Sequence, residues 1–165
     1  MIQYTLGFML SRSLKSVLVI NKKRGLHIGL INGIGGRLGE GEDPLDGMIR
    51  EAKEETCIDL PTAWSHYATL SGVSYVDGTA SDHFRCWCFC QSMDNLYSKV
   101  GVISTEEGRV YIEDVRSLIL GESLIGGAAS VSNMPWLLFM AINYLRGATD
   151  YIHLIAEIRR TGCTR

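Results

Sequence analysis

The chain has 165 residues, long enough to bury a substantial core and expected to form one domain over residues 1–165. With 16 Lys+Arg against 18 Asp+Glu its net charge is −2, and its pI near 6.1 gives no global pull toward nucleic acid or anionic membrane. The N-terminus lacks a basic segment followed by an apolar core, and the longest apolar run, around residues 136–142, is too short to span a bilayer. Neither a signal peptide nor a membrane segment is therefore expected.

Taken in order, Tyr4 to Leu10 reads as a strand, Ser11 to Lys15 as a turn, and Ser16 to Asn21 as a second strand of a hairpin. The basic run Lys22, Lys23, Arg24 follows. Alone it would be a solvated loop, but it shortly precedes an acidic cluster, and a polyphosphate substrate needs cations on its far side. Gly33, Gly35, Gly36, Gly39 and Gly41 then let the backbone turn and approach a ligand closely.

A helix is well signalled after them. Asp43 serves as N-cap, Pro44 as first helical residue, and Asp46 adds charge to the first turn. Leu45, Met48, Ile49 and Ala52 make the apolar stripe. Glu51, Glu54 and Glu55 fall at i, i+3 and i+4, so the three carboxylates project from a neighbouring face, and Arg50 can pair with Glu54 or orient a carboxylate beside it. Three clustered acids repel one another unless a cation sits over them, and a hard, oxygen-seeking ion such as Mg²⁺ suits them.

Downstream, Trp64 to Ser71 and His83 to Gln91 read as strands joined by the polar stretch Val76 to Asp82. Cys86, Cys88 and Cys90 alternate along the second and share a face. Neighbouring thiols on one strand are poorly placed to bridge, so they are expected as small, buried, reduced groups, which fits a cytoplasmic protein. His83 is read as structural or exposed. After the acidic turn containing Glu106 and Glu107 come a short strand, Arg109 to Ile112, and a helical segment over Glu113 to Leu120. Leu120 to Asn133 reads as a loop, and Pro135 to Leu145 as a second helix capped by Ser132 or Asn133, with Trp136, Leu137, Met140, Ala141 and Tyr144 as its core stripe. The tail, residues 146–165, alternates weakly over Tyr151 to Ile158 and reads as strand or helix.

Gly36, five residues, Glu42, seven residues, then Arg50-Glu51-Ala52-Lys53-Glu54-Glu55-Thr56-Cys57-Ile58 resembles the Nudix box over residues 36–58. Its six fixed charged and glycine positions match by chance in roughly 10⁻⁷ of windows. One position departs, Cys57 standing where the pattern has glycine. The flanks, from Tyr4-Thr5-Leu6 through Lys22-Lys23-Arg24-Gly25 and Asn32-Gly33-Ile34-Gly35-Gly36 to Pro135-Trp136, are similar to MutT-type oxidised-purine nucleoside triphosphatases.

What the resemblance implies is an α/β/α sandwich around a mixed sheet and Mg²⁺-dependent hydrolysis (Mn²⁺ as the alternative) of a nucleoside diphosphate linked to a group X. A purine nucleoside triphosphate giving monophosphate and pyrophosphate is the leading substrate. By match to the box, Glu51, Glu54 and Glu55 are metal ligands, joined by the carbonyl of Gly35 or Gly36 and by Glu107 or Glu106 from a distant loop. Glu51 or a neighbouring Glu is the base toward water, Arg50 orients Glu51, and Glu42 supports the loop or an outer metal. Lys22 and Lys23 face phosphates, while Asn32 and Asn133 read the base, an amide offering donor and acceptor to a purine edge. ADP-ribose, a dinucleotide or a capped RNA end is the alternative substrate, and a non-catalytic nucleotide sensor the alternative function. The partner expected is a small nucleotide, with neither nucleic acid nor membrane, bound by a monomer or homodimer.

Overall fold

The computed structural model describes residues 1–25, 27–58, 60–76, 79–121 and 129–160. Eight strands and four helices follow in the order β1 (Ile2–Ser11), β2 (Ser16–Lys22), β3 (Ile31–Asn32), α1 (Pro44–Thr56), β4 (Ser65–Val76), β5 (Thr79–Met93), α2 (Leu96–Lys99), β6 (Ile103–Ser104), β7 (Gly108–Asp114), α3 (Val115–Leu120), α4 (Met134–Leu145) and β8 (Ile152–Arg160) among the described residues. The strands form one mixed sheet, β6-β7-β2-β1-β5-β4-β8, with β3 beside β2. β1 runs parallel to β5 and antiparallel to β2, and β8 runs parallel to β4.

Two cores lie on opposite faces of this sheet, and the period-2 pattern of each strand feeds both. Leu6, Phe8 and Leu10 of β1, Val17 and Val19 of β2, and Cys88 and Cys90 of β5 pack with Leu118 of α3 and Met134, Leu137, Leu138 and Ala141 of α4. Met9, Leu18, Ile20 and Phe89 turn the other way, onto Met48 and Ala52 of α1 and onto Trp64. A sheet covered on both faces needs apolar residues at consecutive positions, which is why β1 and β2 read as unbroken hydrophobic runs. At Gly7 a side chain is excluded: a Cβ there would lie 2.6 Å from the Met48 sulfur and 2.8 Å from the Trp64 ring, so the glycine sets how closely α1 approaches β1.

The expected α/β/α sandwich is thus the one observed, and Cys88 and Cys90 are buried free thiols. Several expectations change. Of the expected stripe on α1, Met48 and Ala52 are buried but Leu45 lies at the exposed start of the helix, and Gly47, Glu55 and Thr56 are buried beside them. Trp136 is 39% exposed because Leu138 and Ile142, not Trp136, complete the buried face of α4. Asn133 adopts helical φ/ψ, and its side chain makes no cap bond. The polar stretch joining β4 and β5 is largely strand, Val73 pairing with His83 and Val76 with Thr79. Of the loop expected over 120–133, residues 122–128 lie outside the described ones. Within the tail, Ile152–Arg160 is settled as a strand by pairing with β4, Ala68 opposite Ile152, and residues 161–165 lie outside the described ones.

Candidate active site

The site is built where α1 passes the glycine loop. Asp43 caps the helix, its carboxylate accepting from the N–H of Leu45 at 2.8 Å and of Asp46 at 3.3 Å, and Pro44 follows at the first turn as expected. At the other end Cys57 takes the left-handed conformation, φ 54° and ψ 23°, and donates its N–H to Lys53 O at 2.8 Å. The helix therefore ends as it would with glycine there.

The loop before α1 is stitched along β1. Gly7 donates to Ile34 O at 2.7 Å, Thr5 to Gly36 O at 2.9 Å, and Leu38 to Gln3 O at 3.0 Å. Two of its glycines are required by their surroundings. Gly35, at φ 144°, would drive a Cβ into the Thr5 carbonyl, and a Cβ on Gly36 would lie 2.5 Å from the Glu51 carboxylate.

Arg50 gathers the acids. Its Nε and Nη2 donate to the two oxygens of Glu42 at 2.8 and 2.9 Å, a bidentate pair, and Nη1 donates to Glu51 at 2.8 Å and Glu54 at 3.0 Å. Glu42 also accepts the Gly39 N–H at 2.7 Å, and these donors, Arg50 first, hold its carboxyl down at about 2. Its role is to brace the loop against the helix. Burial pushes the Glu51 carboxyl up, against the pull of Arg50.

Glu55 is 1% exposed. One of its oxygens accepts from Lys22 Nζ and the other from the Gly35 N–H at 2.9 Å, while Lys22 Nζ also donates to Gly35 O at 3.1 Å. Burial outweighs these donors and raises the Glu55 carboxyl to about 7.

Four expected site residues, Gly36, Lys22, Lys23 and Glu107, already have partners within the chain. The Gly36 carbonyl is committed to Thr5 N–H on β1, and it is the Gly35 carbonyl that faces Lys22 and Glu55. Lys22 donates to Glu55, and Lys23 donates to Thr105 O at 3.3 Å. Glu107 is engaged by Arg24, which holds its carboxyl below the ordinary range, while Lys23 N–H donates to Glu107 O at 2.9 Å. The β6–β7 turn is thereby pinned to the end of β2, near enough for Lys22 to act on Glu107 but with the carboxylate on Arg24. Asn32 accepts its neighbour's N–H, Gly33 N to Oδ1, at 2.9 Å. Ile31 N–H donates to Ala129 O at 2.8 Å and Val131 N–H to Ile31 O at 2.9 Å, so the segment leading to Asn133 runs beside the strand that carries Asn32. Nothing local signals Lys22 as the partner of Glu55, since 33 positions separate them.

A cavity of about 210 Å³, lined by Ile49, Lys53, Ile58, Leu60 and Trp64 among others, opens on the flank of α1 turned away from Glu51 and holds no carboxylate. It is not the acidic site. Among the described residues, no three Asp, Glu, His or Cys side chains converge as they stand to hold a metal.

A MutT mutator protein of Bacillus halodurans superposes on the whole of this chain and 94% of its own, with TM-score 0.71 at 16% identity. The chain has the Nudix fold. The Nudix domain of Shewanella oneidensis NrtR, solved with ADP ribose, matches with TM-score 0.66 at 14% identity over 87% of each chain. The Escherichia coli dihydroneopterin triphosphate pyrophosphohydrolase matches with TM-score 0.60 at 16% identity, over 86% of this chain and 95% of that one. No sequence-family model and no curated protein matches, so the Nudix resemblance rests on the box residues and on the fold. Within that fold the box of this chain, residues 36–58, occupies the loop and helix α1 that carry the acidic cluster. Among the described residues, no helix is long and apolar enough to cross a membrane.

Proposed function

We propose that the chain is a divalent-metal-dependent hydrolase of nucleoside diphosphates linked to a group X, with a purine nucleoside triphosphate as leading substrate, yielding monophosphate and pyrophosphate. The observation that carries this reading is the assembly on one helix of Arg50, Glu51, Glu54 and Glu55 against the Gly35–Gly36 turn, with no charged position of the box missing. The donor set suits a hard cation. Its oxygens come from the Glu51, Glu54 and Glu55 carboxylates and the Gly35 carbonyl, and of these Glu55 and the Gly35 carbonyl already receive the Lys22 ammonium. When bound, Mg²⁺ or Mn²⁺ would neutralise the polyphosphate and lower the pKa of water.

The chain's own groups divide the remaining work. Arg50 holds Glu51 and Glu54 in register, and Glu42 fixes Arg50. Glu51, whose proton affinity burial has raised, is suited to take a proton from water. Asn32 and Asn133, carried by neighbouring segments, are the amides available to a base edge. Two proteins of the same fold support a phosphoanhydride ligand of this kind, one being a dihydroneopterin triphosphate pyrophosphohydrolase and the other a domain solved in complex with ADP ribose.

The test is phosphate and pyrophosphate release with Mg²⁺ across normal and oxidised nucleoside triphosphates, ADP-ribose and dinucleoside polyphosphates. Glu54→Gln is expected to lose at least about tenfold in turnover with its melting temperature kept, and undiminished turnover in that variant would refute the metal assignment. A second reading is favoured by one observation: every acid of the cluster already has a base or an N–H beside it. That would suit a nucleotide sensor, and tight nucleotide binding without turnover anywhere in the panel would establish it.

A further inference from the structure

Lys22 ends β2, and its side chain is 13% exposed against 1% for Glu55. Its ammonium spans Gly35 O and one Glu55 oxygen, and the second Glu55 oxygen closes the ring by accepting Gly35 N–H. Glu55 has no water-facing edge to supply a counter-charge, so Lys22 is what balances it.

These are the same oxygens that the function proposed above gives to a divalent ion. An ammonium and a divalent cation a few ångströms apart in a low-dielectric setting repel strongly, so both cannot occupy this ring together. Lys22 also sits on a strand end whose next residues, Lys23 and Arg24, are held by the β6–β7 turn, so its backbone is anchored while its four-carbon stem can swing.

We propose that Lys22 is a built-in counter-cation of the site, competing with the divalent ion for the Gly35 and Glu55 oxygens and leaving them when the site loads, its ammonium then free to meet the phosphates of the substrate. The inference rests on the proposed metal-dependent hydrolysis and adds to it a defined exchange. It makes Lys22 a positioning residue whose contacts differ between the metal-free and metal-loaded protein.

Two measurements test it. In the wild-type protein, acylation of lysines by an N-hydroxysuccinimide ester is followed by mass spectrometry with and without saturating Mn²⁺, with exposed Lys15 as internal reference. Lys22 should be protected several-fold relative to Lys15 without metal and lose that protection with it. By titration calorimetry, Lys22→Met, which keeps the stem and removes the charge, should bind Mn²⁺ at least several-fold more tightly than wild type. Lys22 protection unchanged by saturating Mn²⁺ would overturn the exchange, and needs no variant to fold. So would equal Mn²⁺ affinity in a folded Lys22→Met. If Mn²⁺ supports hydrolysis and Lys22 stays protected, only this inference fails; if neither protein binds Mn²⁺, the metal-dependent function fails with it.

Discussion

Replacing Cys57 by glycine isolates the one position where the chain departs from the box. Cys57 sits at φ 54° and ψ 23° after the last turn of α1, exposed, with its sulfur 3.9 Å from Glu54 O as its side-chain contact. An L-residue held in this region costs roughly 1–2 kcal/mol. Glycine removes that cost but loses roughly 0.5–1 kcal/mol through the greater freedom of its unfolded chain. The backbone bond from residue 57 to Lys53 O is retained either way. Cys57→Gly should therefore stabilise by about 0.5–1 kcal/mol, which for a chain of this length raises the melting temperature by roughly 1–4 °C. Thermal melts and urea midpoints under reducing conditions measure it. Cys57→Ala is the control, because it discards the thiol and keeps the backbone strain, and it should stay within about 0.5 kcal/mol of wild type. A less stable Cys57→Gly, or an alanine variant as stabilised as the glycine one, would refute the assignment of strain to the helix end.

Other consequences can be measured directly. Gly36→Ala places a Cβ 2.5–2.6 Å from the Glu51 carboxylate atoms, so that carboxylate must leave its place beside Arg50; turnover should fall by about tenfold to 100-fold. Gly39→Ala, whose Cβ would meet Glu42 at an ordinary 3.5 Å, should be nearly silent, and similar kinetics for the two variants would remove the steric account. For pH, Glu55 titrates at about 7 in the fold against an ordinary 4.5. A raised folded value means the stabilisation is complete below about 4.5 and is lost as pH rises through about 7, by up to roughly 3 kcal/mol. Metal-free wild type should thus lose stability relative to Glu55→Gln across that window in urea titrations, and a difference independent of pH would contradict a burial penalty on Glu55 that outweighs its Lys22 and Gly35 donors.

Much of α1 was legible before any tertiary contact was known, because its determinants are local. A cap, a proline at the first turn and the 3.6-residue period place Asp43, Pro44 and the Glu51, Glu54 and Glu55 face without reference to the rest of the chain. The apolar runs of β1 and β2 likewise predicted strands, and the alternation in β5 put Cys88 and Cys90 on one buried face. The stripe on α4 was read less well: Trp136 and Leu138 lie at helical spacings that periodicity alone admits equally, and only packing against β5 and α3 selects the second. α2, four residues long and entered through Asn95 at φ 60°, is too short to leave a periodic trace.

By itself, then, the sequence determined the box helix, its cap and its acidic face, since each follows from the chain's own period and backbone preferences, while the layered α/β class came from the resemblance that the box residues carry. The tertiary structure alone decided which groups meet: Lys22 with Glu55, Arg24 with Glu107, the Gly35 carbonyl rather than that of Gly36 facing the site, and β8 beside β4. A residue's neighbours along the chain state which way its side chain leaves the backbone. What it meets there depends on strands that pair across tens of residues, and the burial that pushes Glu55 up to about 7 exists only once those strands have closed around it.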